Sequence, residues 1–462
     1  MKIKNIQLTI VAVLSVVLLS GCNIYGKFKM PKESAIAAEY AKALEAEADT
    51  ASFGNLRWQE VFTDPVLVDL IETALANNKD LNNAKLNVDI AHASLKGAKL
   101  SYLPSVALAP NGSGSKYGSG SFSWGYQLPM SVSWEIDIFG KLLNNKRGSQ
   151  AAYNQAKHYS QAVRSQIIAA VANCYYGLVA LESRLTLNRA TAESWKESVE
   201  VMKNLKLASR GVTEAAVVQS EAQYYGILGA ITDIETALDE LNNTMSLLLN
   251  VMPQKWSVNP EASLSVPEIM RDAIPMRELA ARPDVRAAEQ ALAAAYYTTA
   301  GARAAFYPGL AITANGGFTN ILGSMIVNPA EFFVQLAGSL TMPLFSRGSN
   351  IARLEASKAQ QKQAMNNFEY ALLNASAEVS NAMLAYEKSL EKQEWLKKQV
   401  ESLEKAVEYT QILLTVGTQS TTYLEVLTAQ QNLLSSQTSL ILCDQARAGA
   451  VINLYQSLGG GR

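Results

Sequence analysis

The sequence predicts a mostly helical protein that contributes strands to a membrane β-barrel, in two repeats that are each a helix, two strands and a long antiparallel coiled-coil hairpin. Three observations carry this. The two halves resemble each other, without a gap from 77–107 to 281–311, two proline-free helical stretches far exceed a globular helix, and the strands have one apolar and one polar face.

In chain order, the first feature is Lys2 and Lys4, an apolar run from Leu8 to Leu19, and Leu19-Ser20-Gly21-Cys22. A run of about a dozen residues is too short to span a bilayer as a helix, which needs roughly 20, so residues 1–21 read as a cleaved signal peptide. It is either an ordinary signal with an incidental cysteine or, as the spacing favours, the lipobox-like signal of a bacterial lipoprotein, with Cys22 as the acylated first residue. Residues 22–63 form an N-terminal segment, and no later stretch reaches membrane-helix length without charges.

Repeats organise the rest. Asn77-Asn78-Lys79-Asp80-Leu81 aligns with Ala281-Arg282-Pro283-Asp284-Val285, and the same register holds Gly97 with Gly301, Pro104 with Pro308 and Ala107 with Ala311. Two residues further out of step, Phe139 matches Phe345 and Gly211 matches Gly417. The first repeat covers 64–250 and the second 282–458. Residues 251–281 are a linker, irregular between Pro253 and Pro275, and 459–462 are a tail.

Each repeat opens with a helix, 64–100 and 283–305, the second with proline at its first helical position. Strands follow at about 104–110 and 126–139, joined by the Gly/Ser stretch NGSGSKYGSGS, and at about 309–316 and 332–345. In YQLPMSVSWEIDIF, Tyr126, Leu128, Met130, Val132, Trp134, Ile136 and Ile138 share one face, and Gln127, Ser131, Ser133, Glu135 and Asp137 the other. Pro129 lacks a donor for a paired strand, which predicts a bulge or a strand entry there.

Helices over 141–209 and 347–415 would each be roughly 100 Å long. In the first, Ile167, Val171, Cys174, Leu178, Leu181, Leu185, Asn188, Ala192, Trp195, Val199 and Met202 alternate steps of four and three, a heptad seam. Its partner is the return helix after Gly211, 214–249, with a second return helix, 421–458, after Gly417.

The formal net charge of -1 argues against a nucleic-acid partner, and charged residues make up only 18%. His92 and His158 have no metal-ligand companions, and no phosphate loop or nucleophile elbow occurs, so nothing supports an enzyme. Cys174 and Cys443 read as packing residues that pair only if the fold brings them together.

Four two-faced strands beside so much coiled coil leave lipid to cover the apolar face, and in lipid a β-structure must close. Four strands cannot close, since the smallest barrels have about eight, so two or three chains must pool theirs around a polar lumen. The alternative is a lipid-anchored periplasmic coiled-coil adaptor or structural spacer with its strands in a soluble domain.

The chain resembles the TolC-like outer-membrane factor family, in its lipoprotein branch from tripartite efflux pumps. The likeness lies in Cys22, Ser133-Trp134-Glu135-Ile136-Asp137-Ile138-Phe139-Gly140-Lys141, Arg282-Pro283-Asp284-Val285 and Phe306-Tyr307-Pro308. It continues in Pro343-Leu344-Phe345-Ser346-Arg347-Gly348 and Leu424-Glu425-Val426-Leu427-Thr428-Ala429-Gln430. This resemblance implies a homotrimeric channel-tunnel in the outer membrane that extends into the periplasm and passively conducts exported small molecules. It implies no cofactor beyond the lipid on Cys22, and as partners a periplasmic adaptor and an inner-membrane pump. Adaptor docking falls at Arg210, Gly211, Val212, Thr213, Val416, Gly417 and Thr418. Of the family's acidic constriction positions only Glu425 is matched, the others being Thr428 and Val218, which implies a single Glu425 ring.

Overall fold

The computed structural model describes residues 25–31, 34–45, 56–116, 118–208, 213–262, 276–322, 325–416 and 423–461. In chain order these form α1 (Ala35–Glu45), α2 (Trp58–Val61), α3 (Pro65–Asn77), α4 (Lys79–Leu100), β1 (Ser105–Leu108), β2 (Asn111–Ser115) and β3 (Ser123–Ile136). Then come α5 (Lys141–Leu207), α6 (Glu214–Leu248), α7 (Met276–Ala281), α8 (Pro283–Ala304), β4 (Gly309–Leu322), β5 (Met325–Thr341), α9 (Ser349–Val416) and α10 (Tyr423–Ser457). The chain divides into two compact units. One holds Met1–Ala41, Leu86–His158 and Arg286–Ala371, the other Lys42–Lys85, Tyr159–Val285 and Leu372–Arg462.

The first unit contains the sheet, ordered β1 and β2, then β3, β4 and β5, every pairing antiparallel. Here the expected short first strand is corrected. The Gly/Ser stretch is not all tip, because Asn111–Ser115 pairs with β3 and continues the register of β1 unchanged, from Ser105 opposite Ser133 to Ser115 opposite Ser123. What separates β1 from β2 is Ala109-Pro110. Ala109 N–H donates to Pro129 O at 3.1 Å, and Pro129 has no N–H to return, so the ladder lapses there without a change of register.

Pro129 therefore sits inside β3 and not at a bulge. Gly317 lies opposite it on β4, where a side chain could not fit, since a Cβ would stand 2.1 Å from Leu128 O. The irregularity lies instead between Thr319 and Ile321. There the buried Asn320 side chain substitutes for main chain, accepting from Tyr126 N–H at 2.6 Å and donating to Trp124 O at 3.2 Å. The second hairpin is longer than the alternation suggested, reaching Leu322 opposite Met325.

Helices leave the strands through left-handed backbone: Gly140 has φ 69°, Arg347 φ 51° and Gly348 φ 78°. The first of these turns is pinned by side chains. Asp137 accepts from Leu143 N–H at 2.7 Å, Lys141 pairs with Glu135 at 2.7 Å, and Asn144 donates to Gly140 O at 2.8 Å. The N-terminal segment is tied to the same place: Tyr25 OH donates to Ile138 O, and Arg147 donates to Tyr25 O at 2.9 Å.

The second unit is helical. Its core joins Phe62, Leu67 and Ile71 to Ile168, Val171, Tyr175 and Leu178 of α5, Met245 and Leu249, and Val451, Ile452 and Tyr455 of α10. The heptad seam of α5 is buried at every position except Leu181, which is half-buried. Trp195 and Ala192 of α5 pack with Ile227 of α6 and Leu427 of α10, as coiled-coil packing requires.

The helix expected over 64–100 is two helices. Asn78 closes α3 and opens α4, its Oδ1 accepting from Asp80 and Leu81 N–H at 2.9 and 3.1 Å. The N-capping geometry favours asparagine at such a break. Among the described linker residues, 252–262 are irregular.

Candidate functional site: a two-faced sheet, a helix-end clamp and the hairpin tips

The sheet register stacks like faces on like. Val106 and Leu108 lie opposite Val132 and Met130, Leu128 opposite Phe318, Trp134 opposite Ile312, and Leu336 and Leu340 opposite Ala314 and Leu310. On this face Trp124, Val334 and Leu336 are 70%, 72% and 75% exposed. A contiguous apolar surface across β1, β3, β4 and β5 is far more than scattered surface hydrophobics and marks an interaction with lipid or protein. On the other face lie Ser131, Asn315 and Gln335 in one row, and Gln127, Thr319 and Glu331 in another. Among the described residues both outer strands, β1 with β2 and β5, have an edge with no neighbouring strand, and β5 alone is 17 residues long. Among the described residues no helix is long and apolar enough to cross a membrane.

A second arrangement lies in the helical unit and escaped the sequence reading except as part of a motif. Arg282, its side chain 6% exposed, donates to both Asp284 oxygens at 3.0 and 2.7 Å, to Glu378 at 2.6 Å and to Ser457 O at 2.7 Å. Burial alone would lower its pKa, but the bonds to Asp284 and Glu378 outweigh burial and raise it. In the first repeat the aligned residue is Asn78, whose Nδ2 donates to Leu248 O at 2.9 Å. Leu248 and Ser457 are the last residues of α6 and α10, so both repeats satisfy the end carbonyl of a return helix from the residue that opens another helix.

At the first tip, Thr213 caps α6 by accepting from Ala216 N–H at 3.3 Å, and Lys206 pairs with Glu214 and Lys203 with Glu221. Val416 ends α9. Glu425 is exposed in the first turn of α10, beside buried Val426 and Leu427. Cys22, Arg210, Gly211, Val212, Gly417 and Thr418 lie outside the described residues.

A family model described as outer membrane efflux protein matches residues 70–250 and again 274–460, once per repeat. The chain belongs to the outer membrane efflux protein family. It is 28% identical over 455 residues to the cation efflux system protein CusC of Escherichia coli K12, covering 96% of this chain and 97% of that one. It is 27% identical over 469 residues to the probable efflux pump outer membrane protein TtgC of Pseudomonas putida, covering 96% and 93%. The probable outer membrane lipoprotein SilC of Salmonella typhimurium is 26% identical over 419 residues, 89% of each chain. Among solved structures, a crystal structure of CusC superposes with a TM-score of 0.81 at 25% identity, over 94% of this chain and 99% of that one. The outer-membrane channel OprN gives a TM-score of 0.82 at 25% identity, over 95% and 99%. As a member of this family the chain is the outer-membrane channel of an efflux system, a transporter, and the periplasmic adaptor or spacer alternative is not favoured.

Proposed function

We propose that three copies of the chain pool their strands into one closed barrel through the outer membrane, with the apolar face in lipid and the rows around Ser131, Asn315 and Gln335 lining a water-filled passage. One observation carries this reading: a sheet whose apolar face is continuous and exposed while, among the described residues, neither of its edges has a neighbouring strand. In hydrocarbon each unpaired backbone group costs several kcal/mol, so only closure by neighbouring copies makes the surface tolerable. With β1 and β2 counted as one interrupted strand each copy has four, so three copies bring the strand total to about twelve, within the range of known barrels.

In the same reading Cys22 carries the acyl anchor, and the hairpin tips at Arg210, Gly211, Val212, Thr213, Val416, Gly417 and Thr418 receive a periplasmic adaptor linked to an inner-membrane pump. Glu425 forms the one acidic ring. A relative named for cation efflux and one named for toluene efflux are 28% and 27% identical to this chain, so likeness to relatives does not assign the class of exported molecule.

The experiment is extraction from outer membranes in detergent, with mass by light scattering and conductance in planar bilayers. A mass of three chains with stepwise conductance is expected. A single chain that stays soluble once its acyl anchor is removed, and conducts nothing, would overturn the proposal.

A further inference from the structure

The chain already contains one junction between repeats, the pairing of β3, which ends the first hairpin, with β4, which begins the second. The junction between copies is its counterpart, β5 of one copy against β1 and β2 of the next. Within the chain Trp134 lies opposite Ile312. The repeat carries Trp134 to Leu340, through Phe139 and Phe345, and Ile312 to Leu108, through Ala311 and Ala107.

Two further constraints act on this seam independently of the repeat. The pleat requires like faces opposite each other, so a slip of one residue would set exposed Leu336 and Leu340 beside the polar face of the next copy. Hydrogen-bond direction also alternates. Because Ala109 N–H points to Pro129, the odd-numbered residues of the first strand turn their backbone groups toward β3 and the even-numbered ones toward the open edge. Carried through the registers, the even-numbered residues of β5 face its own open edge. Even must therefore meet even, which leaves registers that differ by two.

The repeat alone does not choose among these, because the two hairpins themselves differ by two: Ser105 faces Ser133, but the aligned Gly309 faces Thr341. Pro110 chooses. Its neighbours in the sequence place it on the open edge, where its ring replaces a donor and needs room opposite. Only one permitted register sets it against a glycine, Gly338, around which a Cβ would meet nothing within 4 Å. The registers on either side set it against Leu336 or Leu340. Of the two other prolines of the sheet, Pro129 of β3 lies opposite a glycine, Gly317, and Pro329 of β5 falls where the β4–β5 register shifts between Thr319 and Ile321.

We infer that the seam between copies has one register, with Gly338 of one copy opposite Pro110 of the next, Leu340 opposite Leu108 and Thr341 opposite Ala107. This rests on the multi-copy barrel proposed above.

The test uses cysteine pairs in the full chain in outer membranes, oxidised with copper phenanthroline. Ala107 and Thr341 would form a non-hydrogen-bonded pair with Cα atoms about 4.5 Å apart, within the range a disulfide accepts. Within one chain these strands are separated by β3 and β4, about 14 Å, so the bond can form only between chains. Cys174 and Cys443 are buried. The double variants A107C/T341C and A109C/S339C are expected to give reducible bands of two and three chains. The single variants and the shifted pairs A107C/S339C and A109C/T341C are expected to give none. Crosslinking of a shifted pair in preference to the matched pairs overturns the register while a three-chain mass leaves the barrel standing. Absence of crosslinks from both matched pairs at a three-chain mass also overturns it, whereas a single-chain mass removes the barrel as well.

Discussion

Arg282 and Asn78 solve one local problem with different chemistry. A helix end leaves carbonyls without partners, and here a side chain from a neighbouring helix start supplies the donor. Asn78 does so as a neutral amide. Arg282 adds ion pairs to Asp284 and Glu378, whose side chains are 43% and 46% exposed. The position in α5 that aligns with Glu378 is Ala172, fully buried, so the first repeat has no acid to offer. Removing one partner of a fully buried pair costs about 3–5 kcal/mol. The half-exposed carboxylates are screened, so Arg282→Met is expected to cost about 2–4 kcal/mol in denaturant unfolding. Asn78→Ala is expected to cost about 1 kcal/mol. Equal losses from the two variants would mean that the ion pairs add nothing to the shared carbonyl bond.

Among the elements, periodicity made the long ones legible and left the short ones obscure. The heptad positions of α5 were readable because a buried seam repeats over many turns, and the polar Asn188 within it is buried as its place implies. Asn188 donates to Arg184 O at 2.8 Å, a bond within its own helix that does nothing for the partner helix. Asn188→Leu is therefore expected to stabilise the hairpin by about 1 kcal/mol, read as a higher unfolding midpoint, and a lower midpoint would mean that the amide holds the register of the seam.

The break at Asn78 was hidden because the apolar pattern runs on through it, and only the capping bonds reveal it. The glycine and serine of Asn111–Ser115 signal a turn in the sequence, yet alignment with β3 holds these residues extended. Arg282 stood in the sequence only as part of an Arg-Pro-Asp start, and its tie to Glu378, 96 residues on, has no local signal. The Asn320 substitution for main chain likewise depends on a distant strand.

At the scale of the molecule, the proposed three-copy channel would put symmetry to work at single positions. An exposed Glu425 repeated on each copy around a narrow axis would attract cations. Glu425→Gln is accordingly expected to shift the reversal potential in a salt gradient toward zero, about twofold or more in cation-to-anion permeability, with conductance retained. An unchanged reversal potential would remove this residue from the passage.

The unpaired rims of the sheet also govern the life of the chain before it reaches its partners. A newly exported copy bearing those rims beside bare Trp124, Val334 and Leu336 is a template for indiscriminate strand addition. Such a molecule cannot linger alone in water. If copies pool their strands as proposed, maturation becomes a race between joining and clumping, one that shielding of those rims on the way to the bilayer would win.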